Sequence, residues 1–269
     1  MSSTLTALPS PAASGSTRTS YLDDVRTVFL RELRPLLREP FTLVFGMIQP
    51  LFFLALFGPL LVSTSGLGEA ATLQWFVPGI LVMSVLFATS TTGANLLQEI
   101  QTGSHERMLV TPLRRSSLIV GRALKEIVPV LGQALLIVLV ALPFGFDPHP
   151  TALLGLLLVA AFGVGLGALS YSLALVVKDQ DWIFWMVQQT FLFPLMLLSG
   201  MLLPLDDGPG WLKALSDANP LKYLVDAERA LFAGDVGVAA VAWGAIAAVA
   251  VGLAGLALGV RTIRRSADA

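Results

Sequence analysis

The stretch that decides the fold runs from Ile127 to Val176 and reads "IVPVLGQALLIVLVALPFGFDPHPTALLGLLLVAAFGVGLGALSYSLALV". Its only charged residue is Asp147, in the short connection from Phe146 to Pro150. A helix needs about 20 apolar residues to cross the hydrocarbon core of a membrane. The stretch therefore predicts two spans, 127–146 and 151–176, joined as a tight helical hairpin.

Four further apolar stretches extend this pattern along the chain, at 41–63, 75–97, 182–203 and 236–260. Of the 269 residues, 55% are hydrophobic and only 13% are charged, whereas soluble domains carry about 25% charged residues. A chain with so few charged residues cannot supply the polar surface that a soluble protein presents to water. We predict an all-α polytopic membrane protein with six transmembrane helices, in which residues 21–269 form a single transmembrane domain.

The composition excludes several classes of function. A net charge of −1 provides no field that would attract nucleic acid, and the absence of cysteine removes disulfides and thiolate chemistry. The two histidines, His105 and His149, lie in different loops and offer no metal-ligand pair. Residues 1–20 lack the apolar core of a signal peptide and are typical of a disordered tail, which we expect in the cytosol.

The placement of basic residues predicts the orientation. With the N-terminus inside, 14 of the 17 lysines and arginines fall in inner segments and three in outer segments. Cytoplasmic loops of membrane proteins carry an excess of Lys and Arg. We therefore expect both termini in the cytoplasm, together with the loop between the second and third spans.

The segment before the first span, Tyr21 to Pro40, has the pattern of an amphipathic helix. Helical periodicity places Leu22, Val25, Phe29, Leu33 and Leu36 on one face, and the opposite face gathers Arg31, Arg34 and Arg38. This indicates a helix along the inner membrane interface, with its apolar side in lipid. It serves either as a simple anchor or as a connector to a cytosolic partner.

The loop between the second and third spans is long and basic. It reads "GSHERMLVTPLRRSSLIVGRALKE" from Gly103 to Glu126. We predict a break at residues 102–104, a new helix start at Thr111–Pro112 and a helix from Leu113 to Lys125. A simple connection needs only a few residues. The length and internal turn favour a docking surface, whereas a loop serving only orientation would explain the arginines alone.

The outer segment from Pro204 to Asp235 contains a second amphipathic helix. Asn219 and Pro220 form a helix start signal, and Gly234 suits a helix end. Glu228 falls within the apolar stripe of this helix. We expect its side chain to reach the aqueous edge, with a position facing a gate as the alternative.

Polar residues within the spans are uncharged. Most are expected to bond helix to helix, and the group Gln188, Gln189 and Thr190 is the best candidate for a polar point on a transport path. Glycines of the fourth and sixth spans, such as Gly165 and Gly255, predict close helix packing within the chain.

The chain has no phosphate-binding Gly-x-x-x-x-Gly-Lys motif and no His-Glu-x-x-His motif. The pair Asp179 and Asp181 in a small inner loop is typical of solvated turn residues. We therefore predict no catalytic residues and no metal site.

Two motifs carry a family resemblance. "ERMLVTPLRRSSLIVGRALKE" resembles the inner loop of the type-2 ABC exporter permeases, in particular the daunorubicin-resistance-like drug exporters. "NPLKYLVDAERALFAGD" resembles the stretch before the last span of that family, although the family more often has an apolar residue at the position of Glu228. With the six-span arrangement, the resemblance covers roughly residues 20–265.

The resemblance implies a permease half in a bacterial inner membrane. It would pair with itself or a sister permease, contact membrane lipid, and bind a separately encoded ATPase that holds ATP and Mg²⁺. It also implies roles for individual residues. The coupling contact with the ATPase would comprise Ser104, His105, Glu106, Arg107, Met108, Leu109, Thr111, Pro112, Arg114 and Arg115. The connector helix would present Arg31, Arg34 and Arg38. The substrate path would pass Asn95, Gln188, Gln189 and Thr190.

The resemblance implies export of a hydrophobic or amphipathic small molecule, such as a drug, an antibiotic or a lipid-like compound. Two alternatives remain open at this point. One is export of a lipid-linked glycan by the same superfamily, and the other is a membrane scaffold that transports nothing.

Overall fold

The computed structural model describes residues 20–38, 40–66, 68–205 and 208–265. Regular structure in these ranges is helical, with no strand. The predicted tail at residues 1–20 lies outside the described residues apart from Ser20. The helices are α1 (Tyr21–Arg38), α2 (Pro40–Ser65), α3 (Glu69–Gln101), α4 (Ser104–Leu109), α5 (Arg115–Lys125), α6 (Ile127–Ala141), α7 (Ala152–Val176), α8 (Asp181–Leu197), α9 (Gly210–Asp217), α10 (Pro220–Ala233) and α11 (Ala239–Arg265).

Five segments of the described chain are helical, long and apolar enough to cross a membrane. They are Val44–Thr64, Glu69–Gln101, Arg115–Phe144, Ala152–Val176 and Ala239–Arg265. Each overlaps one of the six predicted spans. The third begins much earlier than predicted, because α5 runs into α6 with only a break at Glu126. The second half of the basic loop is therefore the first part of a candidate span.

The predicted span 182–203 corresponds to α8, which has 17 residues and ends at Leu197. At 1.5 Å per residue it is about 26 Å long, slightly shorter than a hydrocarbon core of about 30 Å. The chain continues through turns in which Ser199 and Met201 are buried. The structure thus supports an all-helical protein with five clear candidate spans.

The centre of the fold is formed by α3 and α7, which run between two ends of the bundle. At one end, hereafter the α4 end, α3 is followed by α4. At the other, hereafter the α10 end, Gln74 of α3 donates hydrogen bonds to the carbonyls of Asp147 (3.2 Å) and Phe232 (2.9 Å). The helices α2, α6 and α10 pack around α3, and α11 packs along α7.

The α10 helix begins and ends as predicted. The Asn219 side chain accepts a hydrogen bond from the Leu221 N–H at 3.1 Å, and Gly234 takes the left-handed conformation with φ +100°. The predicted apolar stripe is buried. Glu228 lies within it at 0% exposure, its carboxylate against Gly155 of α7, so the expectation that it reaches the aqueous edge is wrong.

Candidate functional site

The α4 helix is set off from α3 by a sharp turn, as predicted. Thr102 ends α3, and Gly103 takes the left-handed conformation with φ +68°, which is strained for any residue with a side chain. Within α4, His105 and Met108 are buried, whereas Glu106 and Arg107 are exposed. The short helix therefore rests on the bundle through one face and presents a charged pair on the other.

The loop after α4 extends this exposed surface. Val110 is 85% exposed, and Thr111 and Pro112 beside it are also exposed. The Thr111 hydroxyl donates a 2.6 Å hydrogen bond to the Met108 carbonyl, which fixes the loop against α4. Val110 is thus an exposed apolar tip of the loop, with charged residues on both sides. Ser104 and Leu109 lie at its half-buried edge, and Arg114 and Arg115 are exposed at its far side.

The second helix of the loop does not start at Thr111–Pro112, and that prediction is wrong. Residues 111–113 form bends, and α5 begins at Arg115. The backbone of Arg114 is extended, and its N–H donates to the carboxylate of Asp24 in α1 at 3.4 Å. This hydrogen bond joins Arg114 to a residue 90 positions earlier in the chain, Asp24. It keeps the backbone at Arg114 extended, so α5 begins three residues later than the sequence predicts.

The α1 helix packs on α5 through a face that overlaps the predicted apolar stripe, of which Val25 is buried and Phe29, Leu33 and Leu36 are half-buried. Val25 and Val28 are buried, and a Cβ atom at Gly121 of α5 would meet Val28 at 2.7 Å. Leu22, assigned to the apolar stripe, is 74% exposed. The close approach at Gly121 selects the Val25–Val28 face, because only a glycine lets the two backbones come so near. On the remaining surface the predicted connector residues Arg31, Arg34 and Arg38 are exposed.

A buried charge cluster lies behind the exposed surface. Arg122 of α5 is 1% exposed, and its guanidinium lies 3.4 Å from Glu32 of α1 and forms a closer ion pair with Glu99 of α3. It also stands over the ring of Tyr171 in α7, at 5.7 Å from the centroid. Next to it, Lys125 pairs with Glu126 at 3.0 Å. One guanidinium thus joins α1, α3, α5 and α7.

Sequence reasoning missed this cluster. It treated Arg122 only as part of the basic loop and assigned no role to Glu32. The available signal was the position of Arg122 at the mouth of an apolar span, because a buried charge there requires a partner of opposite sign.

His105 connects α4 to the same cluster. Burial, together with the nearby Arg122 guanidinium, lowers the pKa of His105 to about 4, while Glu32 acts in the opposite direction. The ring is therefore neutral near pH 7, and the folded state favours the neutral form.

We expect acidification to weaken this contact. An unfolded histidine takes up a proton near its ordinary pKa of about 6.5. The folded protein does so only near pH 4, so stability falls as the pH drops from about 6.5 towards about 4. Thermal unfolding at about pH 7 and about pH 5 should show a larger loss for the wild type than for His105→Gln. His149→Gln, at the exposed α10 end, is the matched control. Equal losses in wild type and His105→Gln would contradict the assignment.

The candidate path residues lie apart from one another. Gln188 points into a cleft of about 190 Å³ between α3, α7 and α8, and its amide donates to the Ser90 carbonyl (3.2 Å) and the Ser170 hydroxyl (3.1 Å). Gln189 and Thr190 are on the exposed side of α8. Asn95 lines a separate, larger cleft at the α4 end. Their shared role on a path stays a prediction.

The exposed side of α8 is rich in large apolar residues, including Trp182, Trp185, Met186 and Phe191.

Within the ranges that the structure describes, no group of three His, Cys, Asp or Glu side chains is placed to hold a metal ion.

Comparison with known proteins assigns the family. A model described as "ABC-2 type transporter" matches residues 23–233, which include the α4 surface, the Arg122 cluster and the α10 helix. The chain belongs to the ABC-2 type transporter family. The resemblance predicted from the inner loop and the outer helix is thereby confirmed.

Named relatives of this ABC-2 type chain include permeases. It is 26% identical over 201 residues to the daunorubicin resistance ABC transporter permease protein DrrB1 of Streptomyces coeruleorubidus, covering 74% of this chain and 71% of the relative. It is 29% identical over 235 residues to the putative transport permease ycf38 of Cyanophora paradoxa, with coverages of 85% and 80%. The probable multidrug ABC transporter permease YbhR of Escherichia coli is 24% identical over 165 residues, with coverages of 60% and 45%. The chain is thus a multi-pass membrane protein of a permease family.

Proposed function

We propose that this ABC-2 type chain is the permease subunit of an exporter driven by a separately encoded ATPase, which holds ATP and Mg²⁺. The observation that carries the proposal is the exposed surface from Ser104 to Arg115, whose apolar tip at Val110 stands between charged residues. Such a surface fits a cleft on a partner protein. The coupling residues named from the sequence form it, with His105 and Met108 as its buried support.

Movement of this surface has a route into the spans. The α4 helix follows α3 after a turn at Thr102 and Gly103 and packs against it through Met108. Arg122 ties α3 to α5 and α1 by ion pairs. A push on the surface therefore displaces both α3 and the third span. The ATPase must supply several kcal/mol of differential contact, because a two-state equilibrium swings fully only with about 5.5 kcal/mol.

The remaining features follow from the same proposal. Here α8 is the fifth of six spans and α11 is the sixth, the two termini are cytoplasmic, and the chain lies in a bacterial inner membrane. The exposed aromatic side of α8, with Gln189 and Thr190, faces a second permease subunit across the substrate path. The cargo is a hydrophobic or amphipathic small molecule, consistent with the drug-resistance relatives.

Charge reversal at the exposed pair tests the coupling role. The double variant Glu106→Arg and Arg107→Glu is expected to reduce ATP-dependent efflux by about tenfold or more, because reversed charges oppose the partner's complementary ones. The assay is dye efflux from proteoliposomes that contain the permease co-expressed with its ATPase, together with co-purification of the two chains.

Lys213→Glu, on the exposed face of α9 at the opposite end, is the control that keeps efflux near the wild-type rate. Unfolding curves of each variant exclude general damage. Unchanged efflux and co-purification in the double variant would refute the coupling surface. Absence of ATP-dependent efflux in the wild-type pair, for any amphipathic dye, would refute the proposed function.

A further inference from the structure

Glu228 of α10 is a buried carboxylate that neither the coupling surface nor the candidate path includes. Its exposed fraction is 0%, and in the part of the chain that the structure describes neither carboxylate oxygen has a hydrogen-bonding partner. Taking an ionised carboxylate out of water is costly unless a positive charge or hydrogen bonds compensate it, so an uncompensated group takes up a proton. Glu228 is therefore a carboxyl group that this fold keeps neutral.

The carboxyl group lies directly on the backbone of α7. A Cβ atom at Gly155 would lie 2.5 Å from one of its oxygens, so a side chain at that position would collide with it. One position earlier on α10, Ala227 lies against Gly244 of α11, where an added Cβ atom would lie 2.3 Å from that of Ala227. The helix is thus packed tightly against both α7 and α11. Water reaches Glu228 on the Gly155 side only if α10 moves away from α7.

The charged groups of α10 and its neighbours have other partners or face water. Asp226 lies 3.8 Å from Arg229, and Lys222 pairs with Asp217 of α9. The remaining titratable groups of α10, of the helices packed against it and of the loops beside them are exposed at this end (Glu69, Asp147, His149, Lys213 and Asp235), lie beside Trp243 (Tyr223), or lie at the far ends of α3, α7 and α11 (Glu99, Tyr171, Arg261, Arg264 and Arg265). Burial is therefore the cause that raises the pKa of Glu228 well above its ordinary value.

We propose that Glu228 is a proton-binding site that holds α10 against α7. The neutral carboxyl group fits on Gly155 while α10 is in place, and the proton leaves when α10 moves away and water reaches the group. In water a glutamate ionises near a pKa of about 4.3, and the resulting charge opposes the return of α10 to α7. The ligand is a proton, and the site lies at the end of the bundle opposite the coupling surface.

The proton links the position of α10 to pH. With α10 on α7, hereafter the closed arrangement, the carboxyl group binds its proton more tightly than it does in water, so low pH favours this arrangement. The advantage is fully present below about pH 4.3 and is lost as the pH rises towards the raised pKa of the buried group. Within that window the equilibrium constant for movement of α10 away from α7 rises about tenfold for each pH unit.

Movement of α10 would reach the helices of the candidate path. The Asn219 side chain donates a 2.7 Å hydrogen bond to the Leu195 carbonyl of α8, and Gln74 of α3 donates to the Phe232 carbonyl. The α3 helix is followed by the coupling surface at its other end. In the orientation of the proposed function, on which this consequence rests, protons outside the cell would keep the outer end closed until the ATPase drives it open.

The test uses the absence of cysteine from this chain. Leu224→Cys places a single thiol one turn before Glu228, on the buried side of α10, where a maleimide reaches it only after α10 has moved. Labelling rates are measured on the full chain in phosphatidylcholine nanodiscs, with and without Glu228→Gln, at matched pH values from about 5 to about 8. Glutamine has the shape of the protonated acid and no charge at any pH, so the ratio of the two rates cancels titration of the thiol itself.

With Glu228 in place, labelling should accelerate relative to Glu228→Gln by up to about tenfold per pH unit across the window. A ratio that stays constant over this pH range would overturn the proposal. Glu69→Gln, the same change at an exposed carboxylate of the same end, should leave the labelling rate unchanged. An equal effect of Glu69→Gln would also overturn the proposal, because surface charge would then be the cause. Gly155→Ala, which separates the two helices, should raise the labelling rate at every pH.

Thermal unfolding provides a second measurement that needs no introduced thiol. The melting temperature of Glu228→Gln should exceed that of the wild type by an amount that grows as the pH rises from about 5 to about 8, and titration of His105 cancels because both chains contain it. A difference that does not change with pH would overturn the proposal. Neither readout needs an ATPase. ATP-driven efflux without these pH effects would overturn the proton site but support the proposed function, and the pH effects without efflux would do the reverse.

Discussion

Replacing Arg122 with methionine is expected to lower the free energy of unfolding by about 3–5 kcal/mol, because it removes one partner from a buried ion cluster. The half-buried Glu32 and Glu99 would remain near each other without the guanidinium that now lies between them, and Glu32 would keep only its contact with Arg31 at 4.0 Å. The contact of α1 with the bundle would then depend mainly on Val25 and Val28. Thermal unfolding of the purified protein in detergent and limited proteolysis near α1 measure the two effects.

Two further variants decide whether loss of the buried charge causes the loss of stability in Arg122→Met. Arg264→Met, at the exposed end of α11, removes an equal charge and should unfold like the wild type. The triple variant Arg122→Met, Glu32→Gln and Glu99→Gln should recover most of the lost stability, because neutral amides no longer repel each other. Failure of the triple variant to recover would assign the loss to packing of the arginine stem instead.

Helical spans were predictable from the sequence because long apolar runs without charge leave few alternatives. The ends of α10 were predictable too, since Asn219, Pro220 and Gly234 act through local backbone geometry. The end of α8 was not. The Asn219 side chain donates a 2.7 Å hydrogen bond to the Leu195 carbonyl, 24 residues earlier, and Gly200 turns with φ +72°. A distant partner therefore helps to end the helix six residues before the predicted limit.

The exposed part of the site was predictable, whereas its buried support was not. Glu106 and Arg107 are exposed, as expected of a docking surface, because a short amphipathic helix must face water on one side. Arg122 was assigned to the same basic loop, yet its partners come from α1 and α3. On α1, periodicity identified most of the covered side, including Val25. It could not identify the close contact of Val28 with α5, because that contact depends on a glycine of another helix, Gly121.

Glu228 shows the same limit at the other end of the bundle. Its position in the apolar stripe was recognised, and burial was discounted because a carboxylate is expected to reach water. The structure covers it fully against Gly155, and this burial raises its pKa well above the ordinary value. Gly155 of α7 thus leaves room for the Glu228 carboxylate inside the bundle, whereas hydrophobicity alone would place a carboxylate at the protein surface.

Replacing Gly255 with alanine is expected to destabilise the bundle by about 1–3 kcal/mol, the usual cost of overpacking a close contact. A Cβ atom there would lie 2.2 Å from the carbonyl oxygen of Gly165, and one at Gly165 would lie 2.7 Å from Gly252. These neighbours are backbone atoms, so no side chain can rotate away. Relief requires α11 to move from α7, against which it packs along much of its length.

Gly58→Ala is the matched control for this variant, because Gly58 also lies within an apolar helix but has no atom within 4 Å of an added Cβ. Alanine is the better helix former by about 0.8–1.0 kcal/mol, so Gly58→Ala should melt at or above the wild-type temperature while Gly255→Ala melts below it. Equal melting of the two variants would mean that α7 and α11 can separate at little cost. A clear difference in melting temperature would instead establish α7 and α11 as a rigid pair. Movement of α3 and of the third span would then take place relative to this pair.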